Sequence, residues 1–244
     1  MSSGDTNFGY TKVKFTEKTK LVQKVFSDVA QKYDIMNDLM SLGTHRIWKK
    51  KLIDIVNPIN NENIIDVGSG TGDIAKYILK TNFKGQLHLL DLNKEMLDIG
   101  KLSIKKNKQI FFHKGNAENL FFKENSFDKY IISFCLRNIT DIKKSIKEAL
   151  RVIKPGGSYY CLEFSSPYSN LISLFYNKYK SKILPFIGKS IAKNKNAYKY
   201  LSESIDLFPN QEQLKLIMEE LGFVNVSYIN LFNGIVCIHK GYKI

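Results

Sequence analysis

Cysteine, tryptophan, arginine and, over one long stretch, acidic residues are scarce in this chain of 244 residues, and each scarcity narrows the choices. The three cysteines, at 135, 161 and 237, are odd in number and form no CxxC, which argues against a disulfide framework and against a zinc site. They read as small buried hydrophobes. No apolar run approaches the roughly 18 residues that a membrane-spanning helix requires. The opening MSSGDTNFGYTKVKF also lacks the apolar stretch of about 7–15 residues that marks a secretory signal, so the chain reads as cytoplasmic.

Acidic residues are missing from Phe164 to Ser202, where seven lysines (178, 180, 182, 189, 193, 195 and 199) alternate with apolar side chains. The net charge of +14 suggests an anionic partner, either nucleic acid or a membrane surface. Lys, Ile and Asn are abundant throughout, as an AT-rich coding sequence would produce, so the local distribution is more informative than the total. With 43% hydrophobic and 25% charged residues the composition is that of a globular protein, and the length suits one α/β domain with an appendage.

Val22, Val25, Phe26, Val29 and Tyr33 recur at helical spacing and predict a helix over 17–35. From residue 63, short apolar runs alternate with helical patterns: NIIDV, a helix near 73–80, LHLLDL, a helix near 94–106, IFFHKG, DKYIISF, a helix near 141–153, and SYYCLEF. That alternation predicts a parallel sheet covered on both faces. NQEQLKLIMEELGF then reads as a helix, and VSYINLF and IVCIHKG as strands joined at Asn233-Gly234, a hairpin signal. The hairpin implies one antiparallel strand at the end of the sheet.

Chemistry begins at IIDVGSGTGD, residues 64–73. A buried strand ends at Asp66, and Gly68, Gly70 and Gly72 let the backbone turn sharply and approach a ligand closely. The spacing is tighter than the G-x-G-x-x-G loop that receives a pyrophosphate. The next strand ends in Asp91, nineteen residues past Gly72, where a carboxylate can accept ribose hydroxyls or cap the following helix.

Together with the Gly-Asn-Ala-Glu of 115–118 and the KPGG of 154–157, these residues resemble a class I S-adenosylmethionine-dependent methyltransferase. The resemblance implies a Rossmann-like seven-stranded α/β sheet with a C-terminal antiparallel hairpin, an N-terminal helical lid and a helical insertion. It places S-adenosyl-L-methionine on Asp66, Gly68, Gly70, Thr71, Gly72, Asp91, Asn116, Ala117 and Ser133. The proline motif of nucleobase amino-methylating enzymes is not found in SFCLRNITD. Cys135, between Phe134 and Leu136, reads as packing rather than as a cytosine-attacking nucleophile.

A narrower resemblance lies in YDIMNDLMSLGTHRIW, residues 33–48, and RVIKPGGSYYCLEFS, residues 151–165. Both are similar to signatures of the ubiquinone/menaquinone biosynthesis C-methyltransferases of the UbiE type, and similarity extends to the Arg-Asn of 137–138 and to AYKYLSESIDLFPNQEQL. Ile153 departs from the usual leucine. The family implies methylation of a ring carbon of a prenylated hydroquinone: demethylmenaquinol, 2-polyprenyl-6-methoxy-1,4-benzoquinol, or both.

Deprotonating a quinol hydroxyl activates the neighbouring ring carbon, so the protein must orient the ring and accept a proton. Arg137 is assigned an electrostatic role, since a guanidinium with a pKa above about 12 is a poor base, and Asn138 an orienting one. Arg137 could equally be a structural hydrogen-bond hub. His45, with an ordinary pKa of about 6.5, is the natural base, although a lone His in a Met/Trp cluster is more often structural. Tyr33, Met36, Trp48, Tyr198 and Tyr200 are candidate substrate contacts. His88, His113 and His239 show no ligand spacing, so no metal site is expected.

The expected organisation is one domain: a helical cap over 1–58, a cofactor core over 59–165, a basic and apolar substrate cover over 166–205, and a final helix and hairpin over 206–244. Residues 171–199 would face a membrane holding the prenylated acceptor, or simply form a solvated basic face. The chain would then work in the cytoplasm or peripherally on the inner membrane face, or within a quinone-biosynthesis assembly, with a homodimer as a further expectation. An RNA methyltransferase of the same fold would explain the charge, but the quinol signatures oppose a nucleic-acid partner. A scaffold without catalysis would show a damaged glycine loop, and here the loop is intact.

Overall fold

The computed structural model describes residues 4–104, 107–169, 173, 174, 176, 178, 179 and 195–244. It opens with two short strands, β1 (Asp5–Phe8) and β2 (Thr11–Lys14), paired as an antiparallel hairpin. A wholly helical cap was the expectation from sequence, because these segments carry no apolar alternation. The hairpin is held from outside: the Tyr10 hydroxyl donates to Asp206 at 2.8 Å, and Phe8 stacks on Tyr200 with centroids 4.4 Å apart.

The helix predicted over 17–35 is two helices. α1 (Phe15–Val29) ends at Val29, whose φ is −111° and ψ −2°, a 3₁₀ turn covers Ala30–Lys32, and α2 (Tyr33–Ser41) follows. α3 (His45–Val56) follows. Then come β3 (Asn63–Val67), α4 (Asp73–Leu79), β4 (Gln86–Asp91), α5 (Lys94–Ser103), β5 (Ile110–Lys114), β6 (Phe127–Ser133), α6 (Ile142–Val152) and β7 (Ile153–Phe164). The chain closes with α7 (Lys195–Asp206), α8 (Gln211–Glu220), β8 (Val224–Leu231) and β9 (Val236–Tyr242).

The main sheet runs β5-β4-β3-β6-β7-β9-β8. All pairings from β5 to β7 are parallel, and β9 is antiparallel to both neighbours. The antiparallel strand is therefore next to last, not outermost as the sequence suggested. Burial explains the order. Val236, Cys237 and Ile238 are apolar on both faces and at most 1% exposed, so β9 belongs inside, whereas β8 has only one apolar face and takes the edge. The turn between them is a 3₁₀ segment at Phe232–Gly234 rather than two residues.

Period-two alternation divides the core. Ile65, Val67, Tyr130, Ile132, Tyr159 and Cys161 face α6 and α8 on one side of the sheet. Ile64, Ile131, Tyr160 and Leu162 face α3 and α4 on the other. A third cluster of Val29, Met36, Ala197 and Tyr198 joins α1, α2 and α7. In this sheet order the chain reverses direction of addition between β3 and β6, so a crevice opens at their carboxyl ends, where ligands bind in open α/β sheets. Among the described residues no helix is long and apolar enough to cross a membrane. The expected membrane-facing cover at 171–199 lies mostly outside the described residues.

Candidate active site

The glycine loop sits in that crevice. Gly68, Gly70 and Gly72 adopt φ of 70°, 54° and 80°, conformations that cost other residues energy. A Cβ on Gly68 would collide with the Cys135 sulfur, which gives Cys135 a packing role. The loop is pinned to β4: the Gly68 and Ser69 N–H groups donate to Leu90 O at 2.7 and 3.1 Å, and the Gly70 N–H donates to Asp91 Oδ2 at 2.8 Å. Asp91 Oδ1 accepts the Asn93 N–H at 2.8 Å. The cap of α5 is Asn93, whose side chain accepts from Met96 N–H, so Asp91 braces the loop instead of capping the helix. Each of its oxygens keeps a lone pair for a ligand.

Two cavities meet over the loop. One, about 800 Å³ counted out to open solvent, is lined by Asp91, Met96, Asn116, Ala117, Leu90 and Ile139. The other, about 940 Å³ counted out to open solvent, is lined by Met36, Met40, His45, Asp66, Arg137 and Tyr200 among others. Gly68, Gly70, Ser133, Phe134, Asn138 and Tyr33 belong to both. Phe134 holds φ of 53°, an uncommon conformation for a bulky residue and one that clusters at functional sites.

Among the described residues, the buried polar groups of these walls without a hydrogen-bond partner include both oxygens of Asp66, the Ser69 hydroxyl and the Ser133 hydroxyl. Burial, aided by the Asp91 charge, pushes the Asp66 pKa up to about 8. Lys49, whose charge pulls the Asp66 pKa back down, is itself paired with Asp73 at 2.7 Å. A buried carboxylate without a partner is unfavourable unless a ligand supplies one.

His45 Nε2 lies 2.8 Å from Asp38 Oδ1. An ionised carboxylate only accepts, so Nε2 carries the proton and Nδ1 keeps its lone pair. That Nδ1 is buried without a partner, and the ring lines the larger cavity. Burial lowers the His45 pKa against the pull of Asp38, which favours the neutral imidazole. Arg46 clamps the same Asp38 through two hydrogen bonds of 2.8 and 2.6 Å, and these hold the Asp38 carboxyl well below its ordinary range.

Arg137 donates through Nη1 to Glu163 Oε1 at 2.6 Å and to Phe134 O at 2.8 Å. Both partners of this ion pair are buried; burial pushes the Glu163 carboxyl up and the guanidinium pulls it back. Asn138 accepts from the Tyr200 hydroxyl at 3.1 Å and donates to Phe134 O at 3.3 Å. Burial raises the Tyr33 hydroxyl to about 12, so it stays protonated.

Most candidate residues gather at these cavities, but three do not line them. Trp48 lies in the core below, against Phe134, Phe164 and Phe232. Tyr198 is fully buried in the α1–α2–α7 cluster. Gly72 starts α4 and packs against Ile104. Thr71 lines the larger cavity and ties the loop to α2 by donating to Asp34 at 3.3 Å. Asp38, Glu163 and Phe134 escaped the sequence reading. The signal for Asp38 and Glu163 was present, since both stand inside the quoted signatures, but nothing in a sequence shows that a carboxylate seven residues before His45 would reach it. The other histidines pair elsewhere: His88 Nδ1 with His113 Nε2 at 3.0 Å, and His239 Nε2 with Gln211 O at 2.8 Å.

A seven-stranded sheet of this order, with a glycine loop after its first strand and a carboxylate free for a ribose after its second, defines a class I S-adenosylmethionine-dependent methyltransferase. Solved structures share the fold. A possible histamine N-methyltransferase from Thermotoga maritima aligns with a TM-score of 0.66 and 18% identity, covering 91% of this chain and 100% of its own. Phosphoethanolamine N-methyltransferase 2 from Haemonchus contortus, in complex with S-adenosyl-L-methionine, aligns at 0.60 and 17%, covering 80% and 52%. The chain belongs to the ubiE/COQ5 methyltransferase family, whose model matches residues 12–243. It is 50% identical to the ubiquinone/menaquinone biosynthesis C-methyltransferase UbiE of Rickettsia bellii and 49% identical to that of Rickettsia prowazekii, each over 98% of this chain and 99% of the relative.

Proposed function

We propose that the protein methylates a ring carbon of a prenylated hydroquinone, namely demethylmenaquinol, 2-polyprenyl-6-methoxy-1,4-benzoquinol, or both. Family membership supports the reaction class. The observation that carries the reading in the structure is the shared wall of the two cavities, at Gly68, Gly70, Ser133, Phe134 and Asn138: a donor lying along the Asp91 chamber, with its methionine end crossing the loop to Asp66, would abut there a ring held in the rest of the larger cavity. S-adenosylmethionine, when bound, supplies an electrophilic methyl group on a sulfonium. The chain's residues suit it. Asp91 has lone pairs for ribose hydroxyls, Asn116, Ala117, Leu90 and Met96 offer a largely apolar slot for the base, and unpaired Asp66, Ser69 and Ser133 await the charged methionine end, flanked by Thr71.

In the larger cavity Met36, Met40, Tyr33 and Phe134 give the ring soft and aromatic walls. His45 Nδ1 would accept the quinol hydroxyl proton, and the electron density moved onto the ring carbon would let that carbon take the methyl group as its bond to the sulfonium breaks and a neutral thioether leaves. Loss of the hydrogen at that carbon and return of a proton to the oxygen restore the aromatic ring, with one proton released overall. Arg137 stabilises the phenolate charge, and Asn138, aligned by Tyr200, orients the ring. We also place the protein peripherally at a membrane or in a quinone-biosynthesis assembly, because a polyprenyl tail keeps its quinol in the bilayer. A homodimer remains compatible with this reading.

The test is methyl transfer from labelled S-adenosylmethionine to chemically reduced, short-tailed demethylnaphthoquinol and methoxy-benzoquinol, with oxidised quinones and bulk RNA as controls. Label on a quinol only when reduced is the expected result. Label on RNA, or none on any acceptor despite cofactor binding, overturns the reading.

A further inference from the structure

α2 is apolar on two sides. Met36 and Met40 point into the larger cavity, while Ile35 and Leu42, seven residues apart, are 58% and 77% exposed. A surface helix normally has a polar face opposite its buried one. On α3, Ile47 is 58% exposed and shares its outward face with Lys50 and Lys51. Scattered exposed apolar residues need no explanation. These three stand on one helical hairpin, whose Met36, Met40 and His45 line one cavity.

Backbone conformation adds an independent sign. Leu42 ends α2 in the left-handed region at φ 50°, ψ 38°, a helix-ending position where glycine is favoured. Phe232 follows the carboxyl end of β8 at φ 49°, is 50% exposed, and packs against Trp48 with centroids 5.6 Å apart. Trp48 directly follows Ile47, so Phe232 stands beside α3 at the carboxyl end of the sheet, where the cavities open. Two large apolar side chains are thus held out toward solvent in conformations that disfavour them.

Cations outnumber acids on this face, where Asp34 and Asp54 are the exposed carboxylates of α2 and α3. Lys32, Lys50 and Lys51 are exposed, and the guanidinium of Arg46 is 59% exposed. Of the nearby acids, Asp34 accepts from Thr71 and Asp38 from His45 and Arg46, which leaves Asp54 against four exposed cations. Apolar side chains rimmed by lysines match an anionic bilayer surface, into which such residues insert while cations meet the headgroups.

We infer that the α2–α3 hairpin, through Ile35, Leu42 and Ile47 and with Phe232 beside it, is the surface by which this protein docks on an anionic lipid bilayer. The inference rests on the prenylated acceptor proposed above and adds where the docking occurs. Docked this way, the mouth of the larger cavity opens toward the lipid that holds the acceptor's tail, so the ring can enter without the tail crossing water.

The full chain is sedimented with phosphatidylcholine vesicles and with vesicles in which part of that lipid is replaced by phosphatidylglycerol. The wild type is expected to pellet with the anionic vesicles and to release as salt rises. The triple variant Ile35→Ser, Leu42→Gly, Ile47→Ser loses apolar side chains that would each favour insertion about tenfold, so its partitioning falls by at least that factor. Its melting temperature, cofactor affinity and turnover of a short-tailed quinol in free solution stay at the wild-type level. Wild type that stays in the supernatant, or a triple variant that pellets equally well, overturns the docking surface. So does a wild-type dimer that the triple variant converts to monomer by light scattering, since the patch would then face a second copy. Vesicle binding without any quinol turnover sinks the proposed reaction instead, so the two failures are distinct.

Discussion

Arg137 donates to Glu163 at 2.6 Å inside the protein, with the two side chains 6% and 1% exposed. The pair joins the turn after β6 to the end of β7, beside the cavity. Taking one partner away leaves the other charge buried alone, which costs about 3–5 kcal/mol. Glu163→Gln is therefore expected to lower stability by that order in urea unfolding. The double variant Arg137→Met/Glu163→Leu removes both charges and should recover most of the loss, yet turn over poorly. Stability and activity that recover together would make Arg137 purely structural.

The second prediction concerns the proton acceptor. His45→Gln should lower kcat by about 10²–10⁴-fold with cofactor affinity unchanged. Asp38→Asn should also lower kcat, because an amide donor facing Nε2 moves the ring proton to Nδ1. The direction with pH follows from burial, which holds the His45 pKa below its ordinary value. The neutral ring is active, so kcat falls as pH drops through that lowered pKa, on the acid side of about 6.5. An acid limb that survives in His45→Gln would place the base elsewhere.

Asp66 gives a third. Its pKa is pushed up to about 8 by burial and by Asp91, so the ligand-free carboxyl is protonated below that pH. A cationic ligand end selects the ionised form, and cofactor affinity should strengthen as pH rises toward about 8 and then level off. Calorimetry in buffers of different ionisation enthalpy should register proton release on binding near pH 7, and Asp66→Asn should abolish both effects. In the ligand-free protein the sign reverses. The unfolded chain gives up this proton at its ordinary value near 4, so stability contributed by protonated Asp66 is lost as pH climbs from about 4 to about 8.

Much of this arrangement was legible in the sequence because it depends on local rules. The alternation of apolar strands with helices fixed the parallel sheet, and three glycines at fixed spacing marked the loop. What escaped depends on three-dimensional meeting. The β1–β2 hairpin has no apolar pattern and is held by Glu203, Asp206 and Tyr200, nearly two hundred residues away. Asp91 could be read as a ribose ligand or as a helix cap, and only the structure shows that Asn93 two residues on takes the cap. Glu163 sits in an apolar strand whose periodicity says only that it is buried. Trp48, the single tryptophan, read as a substrate contact because it follows the cluster around Met36, yet its helical phase turns it into the core.

The glycine loop gives the last prediction, separating steric necessity from ligand access. At Gly68 a methyl group would drive into Cys135 and adopt a disfavoured φ of 70°, so Gly68→Ala should destabilise the protein by about 1–3 kcal/mol through overpacking and weaken cofactor binding with it. At Gly70 the added Cβ meets only the flexible end of Met96, at 3.3 Å, and the position lines both cavities. Gly70→Ala therefore carries the left-handed penalty of roughly 1–2 kcal/mol without a rigid clash, while its methyl group stands where the ligand approaches. Cofactor affinity should fall further in Gly70→Ala than its stability loss explains. Relieving the clash supplies the control: Cys135→Gly, which removes both the sulfur and the Cβ that the new methyl would meet, should return part of the lost stability beside Gly68→Ala and none beside Gly70→Ala.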